Sequence, residues 1–196
     1  MKTNLECAGM AQSLMYWTFT DVFEEKGAGE TPFHGGFGMI NYQGIVKPTF
    51  HAYRMMNQLG DEKLYYADPL LVSRSSNNGK ITALAFNYPE EYLDNVPSTG
   101  NVGNYMNASP KEICFTLTNM TPGALVEIEI LDDDHGNVIK DFKKLGSPSS
   151  LTKSQTEYLK KRSWATSKKS LHVDENGNLA VKETLAPWSC MMINEI

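Results

Sequence analysis

Short segments of strand character, some of them with alternating apolar and polar residues, recur along the sequence after residue 61, and they constrain the fold more than any other feature. In Leu125–Leu131 the residues Val126, Ile128 and Ile130 alternate with the two glutamates of the segment. Further segments of strand character are Leu70–Arg74, Ile81–Asn87, 112–119, 170–173, 179–184 and 188–193. Turn-forming runs such as 75–79 and 174–178 separate them. Some seven short strands divided by turns predict an antiparallel β-sandwich.

Two other segments carry helix signals. In residues 47–59, Pro48 suits a first helical turn, Gly60 suits a stop, and apolar residues recur every third position. In residues 152–164, Thr152 followed by Gln155 matches a capping box. Residues 89–110 are rich in Asn, Ser and Gly, which predicts a surface loop. The run DDDHGN at 132–137 predicts a hairpin turn more strongly than a metal site, because the register of a calcium loop is absent.

An aromatic and acidic run, YWTFTDVFEE at residues 16–25, stands apart from this pattern. Residues 15–19 predict a buried strand, and Asp21, Glu24 and Glu25 follow it at once. A barrel of alternating strands and helices builds its binding site from such strand ends. Aromatic faces stack on sugar rings and carboxylates accept hydrogen bonds from hydroxyl groups, so the pairing suits a polyol. An ordinary core strand running into an acidic loop is the alternative.

Three motifs, in this order, closely resemble the C-terminal part of glycoside hydrolase family 39, the bacterial β-xylosidases. They are YWTFTDVFEE at residues 16–25, FHGGFG at residues 33–38 and GIVKPTFHAYRMMNQLG at residues 44–60. The resemblance implies that residues 15–19 form the last strand of a (β/α)8 barrel and that 47–59 form its last helix. Residues 1–61 would then be the C-terminal remnant of the TIM-type catalytic barrel, and residues 62–196 a β-sandwich accessory domain with one further short helix. A whole barrel needs about 250 residues, which exceeds this chain.

The catalytic carboxylates of such an enzyme are not expected here. A retaining glycosidase needs two carboxyl groups about 5–5.5 Å apart, whereas neighbours such as Glu24 and Glu25 point to opposite faces of an extended chain. The resemblance implies that the acid/base and the nucleophile come from the fourth and seventh barrel strands, upstream of Met1. The predicted contribution of this chain is sugar binding, with Trp17 as a stacking platform and Glu24 and Glu25 as hydroxyl acceptors. The weaker candidates for the wall of the site are Phe33 and His34.

Each of these residues also has a structural interpretation. Trp17 could be a core tryptophan, His34 could brace its loop, and Glu25 could orient another residue. The function predicted from the resemblance is a C-terminal fragment of a retaining, xylan 1,4-β-xylosidase-like glycoside hydrolase that is inactive alone. Its partner in the intact enzyme would be xylose or a xylo-oligosaccharide, and a homo-oligomer stays open. The alternative is a non-catalytic carbohydrate-binding or oligomerisation module.

Other classes of protein are disfavoured. The net charge of −5 argues against nucleic-acid binding, and the basic run at 160–162 is typical of a solvated helix face. Three widely separated cysteines and the lack of HExxH predict neither a metal site nor a cofactor. No apolar run approaches the roughly 18 residues of a membrane span. A soluble protein of the bacterial cytoplasm is expected, although a leader upstream of Met1 would be invisible, so secretion stays open.

Overall fold

The structure, a computed structural model, describes residues 1–22, 29–89 and 108–196. The chain forms two compact units, each built from two separate stretches of sequence. Met1–Arg54 and Asp133–Ser167 make up the first unit, and Met55–Asp132 and Lys168–Ile196 make up the second. The stretch from Asp133 to Ser167 therefore packs with the N-terminal segment, although it lies between strands of the sandwich in the sequence.

The second unit carries the predicted antiparallel sandwich, which is confirmed. The described strands are β1 (Glu62–Ala67), β2 (Leu70–Arg74), β3 (Ile81–Asn87), β4 (Lys111–Leu117), β5 (Leu125–Leu131), β6 (Ser167–His172), β7 (Leu179–Leu185) and β8 (Ser189–Glu195). One sheet has six strands in the order β1-β2-β3-β8-β5-β6, and the other pairs β4 with β7. Because the second sheet is narrower, it can cover only part of the first.

The alternation seen in the sequence determines which side chains reach the core between the sheets. In β5, Val126 and Ile128 are fully buried, while Glu127 on the opposite face forms an ion pair with Lys168 at 2.8 Å. Ile128 lies beside Ile193 of β8, which in turn lies beside Ala83 of β3. Burial of such aliphatic side chains is the main favourable term for a sheet pair of this size. The core also includes Val72, Ile81, Ile113, Leu117, Leu179, Val181, Leu185 and Met191.

The first unit contains short helices around a small core. The described helices are α1 (Lys2–Glu6), α2 (Pro48–Met56), α3 (Ile139–Lys144) and α4 (Lys153–Ser163), and α2 runs on into the second unit at Met55. Ile45, Val138, Phe142 and Leu159 form the core of the first unit. None of the helices in the described part of the chain is long and apolar enough to cross a membrane.

The hairpin predicted at residues 132–137 is wrong, because these residues lead from β5 into α3 and not into another strand. The side chain of Asn137 explains the turn into a helix, since its Oδ1 accepts a hydrogen bond from the Ile139 N–H at 3.1 Å. An asparagine whose side-chain oxygen accepts a hydrogen bond from the backbone N–H two residues later favours the start of a helix at that point. Val138 and Phe142, four residues apart, then face the core together.

The buried strand predicted at residues 15–19 is also wrong. Met15 is 93% exposed, Trp17 66% and Phe19 62%. Within the described residues no strand covers this segment, and an isolated parallel bridge between Thr20 and Ile40 follows directly after it. A strand forms when its backbone groups pair along their length with a neighbour, and apolar side chains alone do not supply that partner.

The start of α4 offers a direct test of the predicted capping box. Thr152 Oγ1 accepts a hydrogen bond from the Gln155 N–H at 3.3 Å, and Gln155 Oε1 accepts one from the Thr152 N–H at 2.9 Å. Replacing Thr152 with alanine removes the cap and should lower the free energy of unfolding by about 1 kcal/mol. Urea denaturation measures this loss, and Thr152→Ser, which keeps the hydroxyl, should stay within about 0.5 kcal/mol of the parent. Equal losses in both variants would contradict the capping role.

Candidate functional site

A buried ion pair holds together the segments that carry the predicted site residues. Asp21 is 8% exposed, and Lys47 Nζ lies 2.8 Å from its Oδ1 and 2.6 Å from its Oδ2. The same Nζ donates to the Gly36 carbonyl at 2.9 Å, and the Gly38 N–H donates to Asp21 Oδ1 at 2.7 Å. We call these four residues the Asp21 clamp. Charge-assisted hydrogen bonds of this kind are the strong ones, so the clamp fixes the FHGGFG loop rigidly.

Backbone hydrogen bonds continue the same attachment on either side of the clamp. The Met39 N–H donates to the Thr18 carbonyl at 3.1 Å, and the Ile40 N–H donates to the Phe19 carbonyl at 3.1 Å. The Asp21 N–H returns a bond to the Ile40 carbonyl at 2.9 Å. The aromatic run and the glycine-rich loop are thereby held side by side, even though no regular strand is present there.

Glycine is required at two positions of the loop because the clamp leaves no room for a side chain. A Cβ added to Gly36 would lie 2.6 Å from Asp21 Oδ1, and one added to Gly38 would lie 2.2 Å from the Asp21 backbone nitrogen. Both distances are far inside van der Waals contact. The glycines of FHGGFG therefore allow the loop backbone to approach Asp21, as expected for close backbone packing.

Aromatic side chains project from this rigid base into solvent. Trp17, Phe19 and Phe37 are all exposed, and the Trp17–Thr18 peptide bond is cis. Tyr16 joins the two segments, because its hydroxyl donates to the Phe37 carbonyl at 2.8 Å and its ring lies 5.5 Å from that of Tyr53. Large exposed aromatics on a fixed backbone provide flat apolar faces at low entropic cost. Such faces can stack on the apolar side of a sugar ring.

The remaining predicted site residues have different surroundings. Phe33 packs into the core of the first unit with its ring 4.9 Å from that of Phe142, and it also lines a cavity of about 310 Å³ beside Lys47. His34 is exposed, and its ring passes so close to Gly29 and Gly36 that a Cβ on either would collide with it. Glu24 and Glu25 lie outside the described residues. The structure thus brings His34 next to the Asp21 clamp and directs Phe33 to the core.

His51 is a structural residue whose role the sequence did not reveal. It is fully buried, with Nε2 2.7 Å from the Ser163 carbonyl and Nδ1 3.4 Å from Arg54 Nε. The carbonyl only accepts hydrogen bonds and the guanidinium only donates them. Nε2 therefore carries the proton, Nδ1 accepts, and the ring is neutral. His51 fixes the end of α4 against α2.

Lys140 pairs with two of the three aspartates in the acidic run at 132–137. Lys140 Nζ lies 2.7 Å from carboxylate oxygens of both Asp133 and Asp134. The hydrogen bond to Asp133 raises the pKa of Lys140 most, and the hydrogen bond to Asp134 raises it further. In return, the hydrogen bond from Lys140 lowers the pKa of Asp134. The described residues contain no group of three or more metal-ligating side chains. The carboxylates here hold the start of α3 in place.

A cleft of about 600 Å³ in the second unit runs along β4, between that strand and the residues of β1 and β2. The exposed Cys114 lines it, but desolvation and the neighbouring Glu112 carboxylate raise the pKa of this thiol. A thiol with a raised pKa carries less of the reactive thiolate at neutral pH. This cleft therefore lacks an activated cysteine nucleophile.

Comparison with known proteins identifies the family of this chain. The family model described as glycosyl hydrolases family 39 matches residues 1–180, which is most of the sequence. The chain belongs to this family. A β-xylosidase of Geobacillus stearothermophilus is 33% identical over 136 residues, which cover 69% of this chain and 24% of that protein. A β-xylosidase of Caldicellulosiruptor saccharolyticus is 30% identical over 182 residues, covering 91% of this chain and 35% of that protein.

The fold is also similar to that of a solved family-39 structure. The crystal structure of the GH39 enzyme from Xanthomonas axonopodis pv. citri superposes with a TM-score of 0.79 at 23% identity. The superposition covers 97% of this chain and 38% of the Xanthomonas protein. The chain thus spans about a quarter to two fifths of the length of the relatives it matches.

Proposed function

We propose that this chain is the C-terminal portion of a retaining, β-xylosidase-like glycoside hydrolase. It would contribute part of the sugar-binding wall and a structural β-sandwich, while the catalytic carboxylates would lie in the remainder of the enzyme. The observation that carries the proposal is the rigidly clamped loop beside exposed aromatic side chains. Trp17 would stack on the sugar, Glu24 and Glu25 would accept hydrogen bonds from its hydroxyls, and His34 would line the same wall.

Three further points support this assignment. The two curated relatives are β-xylosidases and are about three to four times longer than the matched region, which leaves ample sequence for a catalytic pair elsewhere. Asp21 is unsuited to be a nucleophile, because Lys47 and Gly38 already occupy its carboxylate. The exposed faces of Trp17 and Phe37 would need a covering ligand or polypeptide in an intact enzyme. Residues 1–61 would be the barrel remnant.

A hybrid enzyme tests the sugar-binding role directly. This chain replaces the matching segment of the Caldicellulosiruptor β-xylosidase, which aligns with 91% of it, and kcat/KM is measured with an aryl β-xyloside. Removing one stacking face should cost roughly 1–3 kcal/mol of transition-state binding, so Trp17→Ala should lower kcat/KM about 10–100-fold. Tyr65→Ala, which removes an exposed aromatic of β1, is the matched control and should leave kcat/KM within about twofold.

Two results would count against the proposal. The first is a Trp17→Ala hybrid with the same kcat/KM as the unmodified hybrid, since a wall residue must contribute to binding. The second is a hybrid that folds, by circular dichroism and thermal unfolding, yet turns over no xyloside. A KM that rises while kcat stays unchanged would indicate that Trp17 binds substrate and transition state equally well.

A further inference from the structure

The charge of the chain is unevenly distributed, and the helical stretch of the first unit is strongly basic. Residues 139–167 carry seven Lys or Arg side chains against two carboxylates, Asp141 and Glu157, which gives a net charge of +5. The whole chain carries −5, so the remaining residues carry −10. A local field of opposite sign to the rest of the molecule favours an anionic partner at this stretch.

Among the residues that the structure describes, most of these cations have no carboxylate partner. Lys140 is held by Asp133 and Asp134, and Arg162 Nε lies 3.2 Å from Asp141. The others make no ion pair within the part of the chain that the structure describes; they are Lys143, Lys144, Lys153, Lys160 and Lys161. An unpaired surface ammonium can bind an incoming anion without first losing an internal partner.

A fixed tryptophan stands at the end of the same helix. Trp164 caps α4 and is 52% exposed. Its ring packs edge-to-face at 5.4 Å from Phe50 and at 5.3 Å from His51, and His51 is itself fixed by the Ser163 carbonyl. Two near-perpendicular ring contacts set the plane of the indole. The exposed part of the ring is therefore already ordered for stacking.

Helical spacing places lysines next to this ring. Lys160 and Lys161 precede Trp164 by four and three residues, so they lie on its side of α4, and Lys153 lies two turns earlier. Leu159 and Ser163 are buried on the other side of the helix. We call Lys153, Lys160, Lys161 and Trp164 the α4 basic face.

We propose that the α4 basic face binds a glycan that carries carboxylate groups, such as a xylan with uronic-acid side groups. The indole would stack on a neutral sugar ring, and the ammonium groups of Lys160 and Lys161 would pair with a nearby carboxylate. This proposal rests on the proposed function for the kind of polymer involved. It adds a binding surface separate from the Asp21 clamp and Trp17.

The charge distribution favours a glycan with sparse charges over a nucleic acid. A duplex carries about one phosphate per 1.7 Å of its axis, so it would bring many charges near a chain that is acidic outside this stretch. Isolated carboxylates among neutral sugars would avoid that repulsion, which is screened beyond about 8–10 Å. Single-stranded nucleic acid, whose bases also stack on aromatics, is an outcome that the test includes.

Titration calorimetry of the purified chain in 50 mM salt tests the proposal. The two ligands are a xylan with glucuronic-acid side groups and the same polymer with its carboxyl groups reduced to alcohols. We expect at least about fivefold tighter binding of the acidic polymer, with the difference removed at high salt. Equal affinity for the two polymers, or tighter binding of oligo(dT), would overturn the proposal.

Matched variants locate the surface. Lys160→Gln with Lys161→Gln should abolish the preference for the acidic polymer, and Trp164→Ala should weaken binding of both polymers about tenfold. Glu157→Gln removes the one carboxylate on this side of α4 and should tighten binding of the acidic polymer alone. The control pair Lys63→Gln with Lys80→Gln has the same charge change in the second unit and should leave both affinities unchanged. If the Lys63 and Lys80 double variant lost the preference for the acidic polymer to the same extent as the Lys160 and Lys161 double variant, the assignment would be contradicted.

The two proposals can fail separately. Trp17→Ala should leave the preference for the acidic over the reduced xylan unchanged, because Trp17 carries no charge and is not part of the α4 basic face. The Lys160 and Lys161 variant should leave turnover of a small aryl β-xyloside by the hybrid enzyme unchanged. An unchanged kcat/KM in the Trp17→Ala hybrid, together with an intact preference of the chain for the acidic polymer, would refute only the role of Trp17.

Discussion

Replacing Lys47 with methionine is expected to lower the free energy of unfolding by about 3–5 kcal/mol. The Asp21 carboxylate is fully buried, and Lys47 supplies its only counter-charge among the described residues. Methionine fills a similar volume but leaves the carboxylate with the Gly38 N–H alone and leaves the Gly36 carbonyl without its donor. An uncompensated buried charge is costly, so the loss should far exceed that of an ordinary surface substitution. Urea denaturation followed by circular dichroism measures it.

Two further variants separate the charge from the shape of the side chain. Adding Asp21→Asn to Lys47→Met removes both charges and should restore a substantial part of the lost stability, since the unpaired carboxylate is gone. Lys80→Met, an exposed lysine substituted in the same way, should change stability by no more than about 0.5 kcal/mol. A Lys47→Met protein as stable as Lys80→Met would show that the Asp21 clamp does not hold the loop.

Alanine at Gly38 should cost about 3 kcal/mol or more. The added methyl group would lie 2.2 Å from the Asp21 backbone nitrogen and 2.4 Å from the Thr20 carbonyl carbon. Neither atom belongs to a flexible side chain, so the backbone must separate and lose the hydrogen bonds that join Met39 to Thr18 and Ile40 to Phe19. Thermal and urea unfolding measure the loss, and the fluorescence of Trp17 should change with it.

Gly35 provides the matched control for this substitution. No described residue lies within 4 Å of a Cβ at Gly35, although its φ of +86° disfavours a side chain. Gly35→Ala should therefore cost about 1–2 kcal/mol from backbone strain alone. If Gly35→Ala proved as destabilising as Gly38→Ala, the close approach to Asp21 would not explain the glycine requirement.

The strands of the sandwich could be predicted because their signal is local. In β7 the burial of successive residues follows the alternation in the sequence, and the Thr152 cap of α4 is equally local. In β5 the alternation holds for Val126 and Ile128 but fails at Glu129, which is buried. The edge strand β1 was not predicted, because EKLYYA shows no alternation and a bulge between Lys63 and Tyr65 interrupts its pairing with β2. The short α3 had a signal in the spacing of Val138, Phe142 and Leu145, which helical periodicity could have revealed.

The candidate site depended on contacts that no local pattern encodes. Asp21 and Lys47 are 26 residues apart, and their ion pair follows only from the packing of the first unit. The aromatic segment at 15–19 has the composition of a strand, yet its exposure depends on whether a partner strand lies beside it. The resemblance to family 39 indicated the importance of FHGGFG, and the Asp21 clamp supplies the physical reason for two of its glycines.

Hydrolysis of an aryl β-xyloside by the purified 196-residue chain tests the central claim most directly. The chain is assayed beside its Glu24→Gln, Glu25→Gln double variant, with an intact family-39 β-xylosidase as the positive control. We predict no turnover by either form of the chain, because the catalytic carboxylates would lie in the rest of the enzyme. Turnover by the chain that the double variant abolishes would contradict this account and would make Glu24 or Glu25 a catalytic residue.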